Sequence, residues 1–211
     1  MARTALTRLT EMASADRRRL DALLDESRVA HIGLVADGHP AVIPTAVARD
    51  GDRVLVHGST GSRWMRMLAE GIAASMAVTA LDGLVVARSA FESSMRYRSA
   101  VLFGTFAVVG LDEDKRRALD ILTESLLPGR MHEVRRPTAK ELAATLVLTM
   151  PITEWSLKVS DGWPDDPPDD VAGEAWAGVV PLSMVAGRPL AAPDLRPSIA
   201  VPPSVRDLYA E

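Results

Sequence analysis

Hydrophobic positions change period several times along the chain, and each change marks an element. Leu20, Leu23 and Leu24 recur at spacings of three and four, which predicts a short amphipathic helix, capped by Ser14 and ending near Ser27. Alternation then takes over. "RVAHIGLVADG" reads as a strand closing in a turn, "HPAVIPTAVARDGD" as a second strand ending in a hairpin turn, and "RVLVHG" as a third. Pro44 lacks an N–H, so its strand belongs at an edge, at a bulge or beside a ligand. The helical period returns over Ser62–Glu70, with Trp64, Met67 and Leu68 on the apolar side. "IAASMAVTALDGLVVARSAF" predicts two strands around an Asp82-Gly83 turn, and "SAVLFGTFAVVG" another from Ser99 to Val109. "DEDKRRALDILTESLLPG" opens with acids, closes at Pro128-Gly129 and carries Leu119, Leu122 and Leu126 on one face. Thr138 and Glu141 have capping-box spacing ahead of the strand "LVLTMPI", and "EWSLKVSDG" follows.

Tight hairpins between the early strands imply antiparallel pairing. The expected class is mainly β with inserted helices, a closed or split β-barrel rather than a doubly wound parallel sheet. Residues 1–160 read as the barrel domain with its N-terminal helix. "SDGWPDDPPDD" then packs five acids and three prolines into eleven residues, the composition of a linker. Residues 161–211 are expected to be a Pro/Asp-rich linker and an extension, packed on the barrel or on a partner subunit. The strands around "LVVARSAF" and "VLFGTFAVV" are apolar on both faces and need cover from both sides, by a second subunit or by the chain's own helices and tail.

Composition narrows the function classes. The 211 residues include no cysteine, which removes disulfides, thiolate catalysis and Cys-ligated metal centres. The net charge of −4 gives no basic surplus, so no nucleic-acid partner is expected. No apolar stretch reaches the ~18 residues of a membrane span, and the first 20 residues lack the apolar core of a signal peptide. The expectation is a soluble, cytoplasmic protein with no membrane partner. No histidine pair has metal-site spacing, so no metal is expected. His31 reads as a structural strand residue, while His39 and His132 read as peripheral.

Chemistry concentrates in "HGSTGSRWMR". A helix N-terminus is already partly positive and favours acids in its first turn, yet Arg63 and Arg66 stand here, with no acid between Arg53 and Glu70. Gly58 and Gly61 allow close backbone approach, Ser59, Thr60 and Ser62 offer hydroxyls, and Arg63 offers a forked guanidinium. Together these suit a phosphate monoester. A capped strand-to-helix turn with solvated arginines uses the same residues. His57 either hydrogen-bonds such a ligand or closes the turn. A second cluster, "ARSAFESSMRYRS", sets Arg88, Arg96 and Arg98 among Tyr97, Phe91 and serines. It fits either a pocket for a charged aromatic ligand or a polar crossover with paired arginines.

The ordered series "VIPT", "DGD", "HGS", "ARSAF", "YRS" resembles the pyridoxamine 5′-phosphate oxidase-like FMN-binding split-barrel family. It is most similar to the bacterial flavin-nucleotide-binding branch, related to the nitroimidazole-resistance proteins. The resemblance runs from about Arg17 to Val159. It implies a six-stranded antiparallel split barrel, a homodimer, and FMN at the subunit interface. Val42, Ile43, Pro44 and Thr45 would lie along the flavin. His57, Gly58 and Ser59 would begin the phosphate loop, and Ser62 and Arg63 would finish it. Ser93, Ser94, Tyr97, Arg98 and Ser99 would close the pocket. The implied activity is that of a flavin-dependent reductase or oxidase of unknown substrate, with the redox chemistry supplied by the flavin. The alternatives are a split barrel that binds haem or a deazaflavin, and a protein that binds flavin without turnover.

Overall fold

The computed structural model describes residues 3–4 and 7–209. Helix α1 (Arg17–Glu26) leads into the hairpin β1 (Val29–Ala36) and β2 (His39–Ala46). Strands β3 (Ala48–Asp50) and β4 (Arg53–Ser59), helix α2 (Arg63–Ala69) and the long hairpin β5 (Ala73–Val86) and β6 (Ser94–Thr105) follow. Then come β7 (Ala107–Val108), α3 (Asp112–Leu126), α4 (Ala139–Ala144), β8 (Thr145–Pro151) and β9 (Glu154–Ser160). Beyond these lie α5 (Pro168–Val171), β10 (Gly178–Pro181) and α6 (Pro203–Arg206).

The strands form two antiparallel sheets. The first runs β2-β1-β5-β6-β9, with β10 also on β5, and has six strands; the second runs β3-β4-β8-β7. This is the split barrel. Its core lies between the sheets, where Ile32, Val56, Met76, Leu102, Leu148 and Leu157 are buried. Leu20, Leu23 and Leu24 of α1 and Met65 and Leu68 of α2 close that core. Burial alternates along the strands because successive side chains point to opposite faces.

The two sheets are covered differently. The outer face of the second sheet carries Ala48, Leu55 and Val147 against Ala118 and Leu122 of α3. Among the described residues no such helix covers the outer face of the first sheet. There Val29 is 51%, Val35 61% and Val42 64% exposed. His31, Pro44, Ala77, Val101 and Ser156 form one row across this face.

Several local expectations are corrected. Asp16, not Ser14, caps α1, because its carboxylate accepts the Arg18 N–H. The "HPAVIPTAVARD" stretch divides at Val47 into β2 and β3, which belong to different sheets. Met65 joins Leu68 as a buried residue of α2, while Trp64 and Met67 are half-buried. Leu126 is 42% exposed at the end of α3, and Ala118 takes the buried place. The Asp82-Gly83 pair makes no turn. β5 runs through it with a register shift between Leu81 and Gly83. Two contacts keep the strand paired there. Arg98 on β6 donates to both Asp82 oxygens at 2.7 and 2.8 Å. A Cβ at Gly83 would come within 3.0 Å of the Val180 carbonyl oxygen, so glycine lets β10 pair at this point. Pro44 does lie on an edge strand, and the Thr138–Glu141 capping box is complete.

After β10 the chain runs without helix or strand to α6, and Met184 and Leu190 on it are almost wholly exposed. It reattaches where the Ser204 N–H and hydroxyl donate to Glu133 at 3.0 and 2.5 Å.

Candidate functional site

The turn Ser59–Ser62 joins β4 to α2 and is tied down by its own backbone. The Thr60 N–H donates to Ala144 O, the Ser62 N–H to Ser59 O, and the Gly61 N–H to Ser59 Oγ. These three donors are therefore spent. Next to them, Ser62 stands at the N-cap of α2 but makes no side-chain cap bond. A helix start leaves its first N–H groups without intrahelical partners. The free anion donors of this turn are thus the Ser59 and Ser62 hydroxyls and the first N–H groups of α2, beside the Arg63 guanidinium.

Arg63 already has an anion. It forms a 2.5 Å ion pair with Asp37, in the turn between β1 and β2. Asp37 and Gly38 both have positive φ, 52° and 76°, as a two-residue Asp-Gly hairpin turn requires. The pair answers the puzzle of a cationic helix start, since the compensating acid comes from 26 residues upstream. Arg63 beside it holds the Asp37 carboxyl below its ordinary range. Both side chains are exposed, so the pair is open to exchange with a ligand.

The β2 stretch is split by its pleat. Val42 and Pro44 share the open face, whereas Ile43 packs against the core. Thr45 is half-buried. Arg63 thus meets the start of β2 at one end of the open face, while Val42, opposite Gly33, lies midway along the strand.

The β6 group lies at the other end. Ser99 and Tyr97 are two and four residues beyond Val101, on the side of the His31 row away from Asp37. At ~3.3 Å per residue, Tyr97 and Asp37 stand roughly 30 Å apart along the strands. Tyr97 lies under the Lys158 ammonium, 5.5 Å from its ring centre. Arg98 points inward, where it pairs with Asp82 at 2.7 Å and Glu26 at 2.9 Å. Ser94 is exposed opposite Val85. Arg88 pairs with the buried Asp166 at 2.9 Å, and Arg96 donates to Gly162 O and covers Trp163. The arginines of "ARSAFESSMRYRS" are thus each partnered within the chain.

His57 leaves the phosphate turn altogether. A Cβ at Gly58 would meet Met65 of α2 at 3.0 Å, so the adjacent His57 points to the opposite face of β4. There it lines a cleft of about 450 Å³ with Leu119, Met131, Val134, Pro137 and Arg135, among others. Its Nδ1 is buried with no hydrogen-bond partner, and burial pushes its pKa down. Sequence reasoning missed this cleft, whose walls come from α3, from residues 131–137 and from the α4–β8 junction. Capping-box spacing at Thr138 was the one local signal for its rim. Among the described residues no group of three His, Asp or Glu side chains could hold a metal ion, and no helix is long and apolar enough to cross a membrane.

Comparison with known proteins fits this architecture. The FAD and haem binding protein from Mycobacterium smegmatis is 55% identical, with 94% of this chain and 97% of that one covered and a TM-score of 0.90. The flavocytochrome Anf3 from Azotobacter vinelandii is 34% identical, with 99% and 97% covered and a TM-score of 0.91. A structure from Bacteroides thetaiotaomicron, provisionally described as a 5-nitroimidazole antibiotic resistance protein, is 20% identical over 70% of this chain and 86% of that one. Its TM-score of 0.60 carries the fold alone. No curated protein matches the chain. The family model for pyridoxamine 5′-phosphate oxidase matches residues 16–159. That span contains both sheets except β10, the open face and the Ser59–Arg63 turn, so the chain belongs to the pyridoxamine 5′-phosphate oxidase family of split barrels.

Proposed function

We propose that this protein is a flavin-dependent redox protein that works as a homodimer and also carries haem. The observation that carries the proposal is the near-full-length likeness to the Mycobacterium smegmatis protein, which is named for FAD and haem. On the same ground FAD is preferred to FMN, the flavin implied by family resemblance. The flavin would place its phosphate on the Ser62 hydroxyl, the first N–H groups of α2 and Arg63, in exchange for Asp37. Its ring would lie over Val42 and Pro44.

Geometry supports the dimer. The turn and the Tyr97–Ser99 group are both expected at the flavin, yet lie at opposite ends of one open face. Two such faces related by a two-fold axis would bring one subunit's Tyr97 and Ser99 to the other's Arg63. They would also cover Val29, Val35 and Leu81, which one chain leaves in water.

Bound flavin supplies hydride and electron chemistry, and the protein supplies binding, orientation and access. The donor and acceptor are to be found by experiment. The test is anaerobic reduction of the flavin-loaded protein by NADH or NADPH, then reoxidation by a nitroaromatic or a quinone. Bleaching of the flavin absorption band and its recovery with acceptor support a redox enzyme. A flavin that binds but is neither reduced nor reoxidised in this cycle supports binding without turnover.

A further inference from the structure

We infer that the cleft beneath α3 is the haem site of this protein and that His57 is the axial ligand. The inference rests on the haem part of the proposed function and assigns it to residues. A protein-bound haem asks for an apolar slot and an axial ligand. The cleft offers each. Leu119, Met131, Val134 and Pro137 are apolar walls within a volume of about 450 Å³. Asp120, Thr123, Arg135, Glu141 and Thr145 complete its lining.

The acids of the cleft are already neutralised. Glu141 pairs with Arg135 at 2.6 Å, and Asp120 pairs with Arg136 at 2.6 Å. The cleft therefore presents no bare carboxylate to an anionic ligand.

His57 is singled out among the four histidines by its surroundings. His31 stands on the open sheet face, and His39 and His132 are exposed. His57 alone is enclosed with an unpartnered nitrogen. With Nδ1 buried, a ligand entering the cleft meets the ring at its Nε2 edge, the usual haem-ligating atom of histidine. The site is separate from the flavin turn. His57 and Gly58 are neighbours on β4, but they face the cleft and α2 respectively. Electrons would thus pass across the end of one strand.

The test uses full-length protein produced with haem supply, read by absorption and by pyridine haemochrome, with flavin measured on the same sample. In the His57→Ala variant the Soret band should be lost or shifted, imidazole should restore it, and bound flavin should stay unchanged. Val134→Trp, on the exposed wall of the cleft, should weaken haem retention at least about tenfold without altering the fold. His31→Ala should leave the Soret band as it was. A folded His57→Ala protein with an unshifted Soret band overturns the assignment, as does full haem retention by folded Val134→Trp. A wild-type protein that takes up no haem overturns both the assignment and the haem part of the proposed function, whatever its flavin content.

Discussion

Arg63, at the first position of α2, is paired with Asp37 in the β1–β2 turn. Two elements far apart in sequence thus share one charge pair at the edge of the open face. Because both side chains are exposed, the pair adds little to folding, and a dianionic phosphate can displace the carboxylate. Removing Arg63 should therefore be felt in binding. Arg63→Ala is expected to weaken flavin affinity about tenfold to a hundredfold while thermal unfolding barely changes. Asp37→Asn should leave affinity equal or higher. Flavin titration of the apoprotein, followed by fluorescence quenching, checks both. Equal affinity in Arg63→Ala and wild type would remove the turn from the site.

The open face makes a second prediction. Val35 is exposed on β1, outside the residues proposed to touch flavin. Val35→Asp should leave the monomer fold intact, since the side chain touches little within one chain. It should convert a dimer to a monomer in size-exclusion chromatography with light scattering, and flavin retention should fall with it. A Val35→Asp protein that stays dimeric would show that this face is not the interface.

Leu122 gives the contrast. It is 2% exposed, packed between α3 and the second sheet. Leu122→Ala should destabilise the protein by about 2–5 kcal/mol through lost burial and the cavity left behind. Flavin affinity per folded molecule should not move. Chemical denaturation and flavin titration on one preparation separate the two effects.

Glu141 sets a pH dependence. Arg135 first, then the Thr138 N–H and hydroxyl, hold its pKa at about 2, against an ordinary value of 4.5. The folded state thus favours the carboxylate. Its contribution is complete above about pH 4.5 and disappears as pH falls through about 2. The melting-temperature gap between wild type and Glu141→Gln should be open at pH 7 and close progressively below pH 4.5. A gap independent of pH would mean that the Arg135 pairing does not form.

Much of the architecture was written in local pattern. Leu20, Leu23 and Leu24, the edge position signalled by Pro44, the "DGD" hairpin and the Thr138 capping box are decided by near neighbours, so periodicity and turn chemistry reveal them. The continuation of β5 through Asp82-Gly83 is decided by Arg98 and by β10, from 16 and about 97 residues away. A local rule therefore read it as a turn. The same division holds for the site. The "GSTGSR" turn was legible because its residues are contiguous. Its acid, Asp37, and the spending of its Gly61 N–H on Ser59 were not. His57 was read with the turn because it adjoins it in sequence. The pleat of β4 sends it the other way, into a cleft assembled from three separated segments.

The most direct measurement is the visible spectrum of freshly purified protein, followed by identification of the flavin released on denaturation. A flavin band with FAD in the supernatant is the predicted result. A colourless protein that also fails to take up added FAD or FMN would contradict the central claim.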